Sequence, residues 1–553
     1  MNELKNSNPN LSVPGSYSAP PLVSVSNRSE FEEFVGMTQV LADCYPEALS
    51  RIEADQTRHG LKKKQSRLAD KLHREASTDD FPGFEIETSM PPEGTTTAAT
   101  ELAEGRPRMD PFILFIFLFI RGLIGEPKSV MCRLLIAESK TLALIYEQYG
   151  ITPPSLSTIS ENLNTISEKT LDYCLQCQLN YAAKNELDDF DTVRADSTST
   201  HANAVFPTES ELIKAFLERA LIGFKNLMKI GLINLTTRVA FTETVEVVKE
   251  VAKFSQTICL VTGKKGASEK RKENYNKIYT RIGRVEKRLT GLLTKAKEVF
   301  KSEKETMLPS LRKRIENIIS QIQSDIENAG TIGEYSSRRI NHDAVIDAHL
   351  KILSICDPSA SMIIKGDRDI VFGFRPQIAF SGQGLITAIL IPEGNAADSG
   401  QLENILKEVH KNTRVIASKV TVDDGYANNP IRKWYIELAE KNGISDVVFS
   451  VAGSKGKKAL GEEIFYSDEY KEARKDRSAA ESGIYTLKSN HEFGSNKRRG
   501  IQAVREEHKT KALAYNNRKL IQLIKARQKR EAEKKATDRG RAQSQPTAQA
   551  KAA

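Results

Sequence analysis

The stretch VIASKVTVDDGYANNPIRKWYIELAEKNGISDVVFSV, residues 415–451, decides the fold class. It opens with an apolar, β-rich run, Val415–Val422, that stops at Asp423-Asp424-Gly425. Helical spacing follows over 430–442, and a second apolar run, Val447–Val451, closes it. Strand, turn, helix and strand in so short a span is the pattern of a helix packed on a sheet. Upstream, Val371–Phe380 and Leu385–Ile391 read as strands, and 399–411 and 470–490 as helices. Much earlier, FDTVRAD (Phe190–Asp196) reads as one more short strand. The expectation is an α/β chain with a mixed sheet and helices packed on it.

A charged helical segment separates the first strand from the others. Its apolar positions Tyr275, Ile278, Ile282, Val285, Leu289, Leu292, Ala296 and Val299 step by three and four. Leu308, Leu311, Ile315, Ile318 and Ile322 repeat the heptad after a break near Pro309. An antiparallel helical hairpin is the first reading, and a coiled-coil contact with another subunit is its rival. With the helical spacing over 209–255, this makes 209–345 a helical insertion inside a catalytic region spanning 185–500.

The flanks differ in character. Residues 1–30 are rich in Ser, Asn and Pro and read as disordered, 31–75 as helical and 76–108 as a linker, so 1–108 forms one N-terminal region. Asp110-Pro111 marks a helix start, with Asp as N-cap and Pro in the first turn. The run Phe112–Ile120 is too short to span a bilayer, which needs about 20 residues. It reads as a buried helix. Pro153-Pro154 interrupts the block, and Ser157–Glu161 restarts it. Region 109–184 is therefore helical, either a helix-turn-helix DNA-binding domain or a generic bundle.

The 553-residue chain carries a net +9, unevenly spread. Lys497–Ala553 holds 17 Lys/Arg against 5 Asp/Glu, a balance of +12, and leaves −3 for the rest. Region 501–553 is expected to form a basic helix and a disordered tail suited to polyanions. Hydrophobic residues make up 39 % and charged residues 28 %, which excludes a wholly disordered protein. Six cysteines exclude a disulfide scaffold. The N-terminus has no apolar signal core, so a cytoplasmic protein without a membrane partner is expected.

Three acids sit where a sheet would present chemistry. Asp196 ends the first strand, Asp423 ends the Val415–Val422 run, and Glu481 lies on a helix. Arg477, Glu481 and Lys488 share one face of that helix, which suits a metal-ligating carboxylate beside phosphate-holding cations. Three gathered carboxylates repel unless cations intervene, and Mg2+ suits oxygen ligation. Two such ions about 3.5–4 Å apart serve phosphodiester chemistry.

These motifs together resemble the DDE transposases of bacterial insertion sequences, specifically the ISNCY-type group. Asp196-Ser197-Thr198, then Asn203, Pro207-Thr208-Glu209-Ser210 and Leu212, looks like the group's first-acid block, with Phe206 for the usual Tyr and Glu209 for the usual Asp. Leu385-Ile386-Thr387, Glu393-Gly394-Asn395 and Asp398-Ser399 are similar to the strand and turn before the second acid. Asp423-Asp424-Gly425-Tyr426 looks like D-x-G-Y, which selects Asp423. Arg477, Glu481 and Lys488 match R-x(3)-E-x(6)-K, with Arg474 where related groups have Tyr. Arg106-Pro107-Arg108, Pro154-Ser155, Ser157-Thr158 and Asn162 give a weaker N-terminal likeness.

The resemblance implies an RNase H-like core in which the helical insertion falls between the first and second core strands. It implies Asp196, Asp423 and Glu481 as catalytic acids and ligands of two Mg2+ ions, with Mn2+ as a substitute. Arg477 and Lys488 would hold DNA phosphate. The basic cluster Lys497, Arg498 and Arg499 is assigned to DNA as well. The expected partners are terminal inverted repeats and target DNA, bound by a homo-oligomer in a bacterial cytoplasm, nucleoid-associated. The expected activity is strand cleavage and strand transfer at insertion-sequence ends. An inactive DNA-binding descendant and a nuclease without strand transfer are the alternatives.

Among the remaining residues, Cys174 and Cys177 form a single C-x-x-C read as structural rather than zinc-binding. His201 reads as a loop residue without a role. Lys525, Arg527, Lys529 and Arg530 offer a phosphate-contacting surface.

Overall fold

The computed structural model describes residues 30–78, 108–125, 136–203, 208–233, 235–261, 266–347, 350–365, 369–394 and 396–544. The disorder expected for 1–29, most of the linker, the tail beyond 544 and the motif residues Phe206, Pro207 and Asn395 lie outside them. In chain order the helices and strands are α1 (Glu30–Cys44), α2 (Pro46–Thr78), α3 (Pro111–Ile124), α4 (Lys140–Gln148), α5 (Leu156–Leu163), α6 (Glu168–Lys184), β1 (Thr192–Ser197) and β2 (Thr200–His201). There follow α7 (Glu209–Lys229), α8 (Leu235–Val261), α9 (Ala267–Glu303) and α10 (Pro309–His342). The rest comprises β3 (Ser361–Lys365), β4 (Asp369–Phe374), β5 (Gln377–Ser381), β6 (Ile386–Leu390), α11 (Asp398–Thr413), β7 (Lys419–Val422), α12 (Asn429–Lys441), β8 (Val448–Val451), α13 (Gly453–Leu460), α14 (Glu462–Phe465), α15 (Asp468–Asn490) and α16 (Ile501–Ser544). The described residues form two compact units, one within 1–56, 109–202 and 363–553, the other within 57–108 and 203–362.

In the first unit a five-stranded sheet runs in the order β6-β5-β1-β7-β8. β5 lies antiparallel to β1 and to β6, while β7 and β8 continue parallel to β1. A small sheet of order β2-β4-β3 accompanies it. The single strand expected over Val371–Phe380 is in fact two, in different sheets. The break falls at Arg375-Pro376, where Pro cannot donate to a ladder, and its carbonyl accepts from Thr198 N at 3.0 Å. The strand expected over Val415–Val422 is shorter too. Arg414 ends α11 at φ 63°, and Asp191 holds Ser418 through backbone N and Oγ at 2.9 and 2.6 Å before pairing begins.

The sheet is covered on both faces. Val193, Ala195, Val420, Val422, Phe449 and Val451 pack against Leu402, Ile405 and Leu406 of α11 and Tyr435 of α12. On the other face Ile378 and Phe380 meet Ala480, Ile484 and Leu487 of α15 and Ala512 and Tyr515 of α16.

Helices of the same unit form its largest core. Asp110 accepts from the backbone N of Phe112 and Ile113 at 2.8 and 3.3 Å, with Pro111 following. All of Phe112–Ile120 is buried, as an apolar surface on every side of a helix requires. Among the described residues no helix is long and apolar enough to cross a membrane. Asp55 accepts from Ser167 N and Thr170 Oγ1, which fixes the start of α6. Leu171, Cys174, Leu175, Gln178, Leu179 and Tyr181 of α6 are all buried.

The expected basic C-terminal helix is α16, one long helix that runs to Ser544. Its first half buries Val504, Leu513, Leu520 and Ile524 in the cores. Its cations there are paired: Lys509 with Glu168 at 2.8 Å and Lys511 with Glu507 at 2.7 Å.

The second unit is built from α7, α8, α9 and α10. The heptad residues Tyr275, Ile278, Ile282, Val285, Leu289, Leu292 and Ala296 of α9 are buried, as are Ile315 and Ile322 of α10. α9 and α10 lie side by side within the chain, with Lys297 Nζ donating to Gln323 Oε1 at 2.7 Å near their turn. The heptads therefore pair intramolecularly. Asp325, fully buried, takes a bidentate Arg219 whose Nη1 also reaches Ile355 O at 2.9 Å.

Candidate active site

Strand geometry decides where Asp196 and Asp423 point. Successive side chains on a strand alternate between faces. Val193 and Ala195 enter the core against α11 and α12. Arg194 and Asp196 therefore face the opposite side, which α15 covers, and Arg194 Nη2 meets Asp476 Oδ2 of α15 at 3.1 Å. On β7 the same parity holds. Val420 and Val422 enter the core, whereas Thr421 Oγ1 donates to Ala473 O of α15 at 3.2 Å. Asp423 follows Thr421 in phase, and its Oδ1 lies 3.3 Å from Arg477 Nη1.

Register brings the two acids together. β1 and β7 are parallel with Ala195 opposite Val422, so Asp196 and Asp423 sit one step beyond the last pair, on strands about 4.8 Å apart. Asp196 is 9 % exposed and accepts from Ser197 N at 2.7 Å.

α15 brings the third acid. It lies close on β5 because residue 483 is Gly: a Cβ there would stand 2.8 Å from the Phe380 ring. Glu481 projects from this helix with its side chain 56 % exposed, and Arg477 Nη2 binds its Oε1 at 2.6 Å. Arg477 thus bridges Asp423 and Glu481. Lys488 lies exposed further along α15. Arg474, where related groups have Tyr, stacks its guanidinium on Phe465 at 3.9 Å and donates to Phe465 O.

The adjacent Asp424 has a different job. Its Oδ1 accepts from Lys455 N at 2.8 Å and Gly456 N at 3.2 Å, at the first turn of α13. Asp423 is left to face α15.

Beneath the strand ends lies a polar network whose function the residue pattern alone did not reveal. Buried Asp398 accepts from Ser197 Oγ at 3.0 Å, from Gln377 Nε2 at 2.9 Å and from Arg375 Nη2. Tyr426, fully buried, donates to Gln377 Oε1. Burial, followed by the charges of Asp398, Asp196 and Asp423, pushes its phenol well above the usual range, so it stays a donor. Gly425 is needed between them: a Cβ would stand 2.9 Å from Asp398 Oδ2. The network ties the residue after Asp196 to the turn after Asp423. The Asp398-Ser399 motif was the one available signal for it.

A family model described as a transposase DDE domain matches residues 351–517. The match supports a DDE transposase. It covers less than a third of the chain, and it contains Asp423, Arg477, Glu481 and Lys488 but not Asp196. No curated protein and no solved structure matches the chain significantly.

The donor set at this site is oxygen, which suits Mg2+ or Mn2+. The two strand-end carboxylates supply the kind of oxygen ligand such an ion takes. Among the described residues, however, no three His, Cys, Asp or Glu side chains gather closely enough to hold a metal. Glu481 is held by Arg477 instead.

The other expected residues are placed as follows. Lys497, Arg498 and Arg499 form the turn between α15 and α16. There Lys497 pairs with Glu492 at 2.6 Å and Arg498 with Glu506 at 2.8 Å. His201 on β2 is exposed, and its backbone N donates to Gly494 O at 2.9 Å. Cys174 and Cys177 are buried, and burial pushes both thiols up, Cys174 to about 12, which disfavours the thiolates zinc needs. Lys525 and Arg527 pair with Glu33 and Glu531, at 2.6 and 2.9 Å. Tyr485, one turn beyond Glu481, is 73 % exposed.

Proposed function

We propose that this chain is a transposase of the ISNCY type that cuts and rejoins DNA at the ends of an insertion sequence. The observation that carries the reading is the pair of aspartates on neighbouring parallel strand ends. Both face the helix that bears Arg477, Glu481 and Lys488, within or beside the segment matched as a transposase DDE domain. In this reading the mixed sheet is the RNase H-like core and the bundle of 209–345 is its insertion. The helical region 109–184 and the bases of 501–553 are surfaces for DNA.

Each residue then has a chemical task. Asp196 and Asp423 supply carboxylates from rigid strands, and Glu481 supplies the third from α15. Divalent ions bound there would activate the attacking oxygen and stabilise the leaving one. Arg477 and Lys488 hold backbone phosphate, and Arg194 with Asp476 keeps α15 over β1. The turn Lys497-Arg498-Arg499 adds cationic contact. Tyr485 offers a flat apolar face for an unstacked base. Joining two ends requires two active sites, hence a homo-oligomer on DNA, near the nucleoid.

The test is a plasmid carrying the DNA that flanks this coding sequence, incubated with the purified protein and Mg2+. The reading expects cuts at inverted repeats and joined products, and D196N should bind the ends without cutting. Binding without cuts by the natural protein would favour an inactive descendant. Cuts without joining would favour a nuclease.

A further inference from the structure

The guanidinium of Arg477 lies between two acids, and its geometry bears on how a metal enters. Nη1 is 3.3 Å from Asp423 Oδ1 and Nη2 is 2.6 Å from Glu481 Oε1. One planar cation thus pairs with both carboxylates that the reading above would give to a divalent ion. Its Nε is buried and has no acceptor among the described residues, so the group is incompletely satisfied where it sits. The side chain is 32 % exposed, so solvent reaches part of it.

We propose that Arg477 is an internal counter-cation that keeps Asp423 and Glu481 from sharing a metal ion until a phosphate draws it away. The inference rests on the metal-dependent reading above. Without DNA, Arg477 compensates the repulsion of the acids and competes with the metal for them. A backbone phosphate presents the forked acceptor that guanidinium prefers, with Nε able to join the contact. Once Arg477 turns to it, Asp423 and Glu481 are released together. Metal and phosphate therefore bind with positive linkage, each raising the affinity for the other by the same factor. This is a positioning role, distinct from contact with the reacting atoms. The two ion pairs are partly exposed, so the expected coupling is modest, about three- to tenfold.

The experiment measures Mn2+ binding to the full-length protein by the paramagnetic resonance signal of free Mn2+. It is run alone, with a duplex of arbitrary sequence and with inorganic phosphate. R477Q should bind Mn2+ about three- to tenfold more tightly than the natural protein in the absence of DNA. The gain on adding duplex should shrink by the same factor. R477K keeps the charge but lacks the fork, and should show a smaller rise in the same direction. K471A removes an exposed cation near the start of the same helix, one that pairs with Asp468 at 3.0 Å, and should leave Mn2+ affinity nearly unchanged. An equal rise in K471A, or no rise in R477Q and R477K, overturns the proposal. If Mn2+ binding is indifferent to D196N and D423N in every background, the metal site and the transposase reading fall instead.

Discussion

In the bundle of α7 to α10, most buried side chains are aliphatic or aromatic, from Phe216 and Phe224 to Ile282 and Ile332; the buried Ser210, Thr244, Ser255, Asn274 and Ser336 bond within the bundle, and Asp325 is answered by Arg219. In the sheet unit the run from Asp196 to Thr200 is buried and polar throughout, with Gln377, Ser381 and Asp398 nearby. Burying polar groups costs free energy unless each finds a partner. The bundle meets that cost mostly with single side-chain to backbone bonds inside its own helices. The sheet unit accepts it at the C-terminal ends of β1 and β7, where the network around Asp398 ties Ser197, next to Asp196, to Tyr426 in the turn after Asp423. The difference coincides with the place where the proposed chemistry would lie.

Four outcomes would break or sharpen that contrast, given from the largest effect to the smallest. D196N or D423N should lower strand cleavage by at least about 10^3-fold, or about 4 kcal/mol, with melting temperature nearly unchanged. A plasmid-cleavage assay and a thermal melt on the same samples check this. In the bundle, Ile322→Ala should cost about 3 kcal/mol in urea unfolding and leave Mn2+ binding intact. A change in Mn2+ affinity there would erase the division of labour.

The third outcome concerns acid. His491, buried against Tyr515, is pushed down to about 4 by burial, then by the charges of Arg518 and Lys511. The unfolded chain takes up this proton near pH 6.5 and the folded chain only near 4. Stability is therefore full above about 6.5 and falls as pH drops toward 4, by about 2 kcal/mol between pH 7 and 5. Urea unfolding of H491Q should lack this share of the decline. Last, Lys277→Ala on the bundle surface removes an exposed pair with Glu273 and should change stability by at most about 0.5 kcal/mol. A larger loss in urea unfolding would mean the bundle depends on its charges.

The same contrast explains what the sequence disclosed. Heptads are local and periodic, so the bundle's buried positions could be read residue by residue, and the hairpin followed. The start of α3 was equally local, because Asp110 and Pro111 act on the next turn. The three acids stood out by motif, and the common face of Asp196 and Asp423 follows from strand parity once the register is known. The Asp398 network stayed hidden because Ser197, Arg375, Gln377 and Tyr426 meet only through folding. The break at Pro376 carried a usable signal, since proline rarely sits inside a sheet. α13 and α14 gave none, with GSKGKKAL lacking apolar periodicity. In α16 the count of Lys and Arg masked the apolar stripe of Val504, Leu513, Leu520 and Ile524.

The central claim is that Asp196, Asp423 and Glu481, distant in the chain, serve one divalent-ion site. Iron-directed hydroxyl-radical cleavage of the protein backbone tests it most directly, with Fe2+ and ascorbate added to the protein bound to duplex DNA. The account predicts three clusters of scission, near residues 196, 423 and 481, all suppressed by excess Mg2+ and absent in D196N. Scission confined to other segments, or persisting unchanged in D196N, would contradict it.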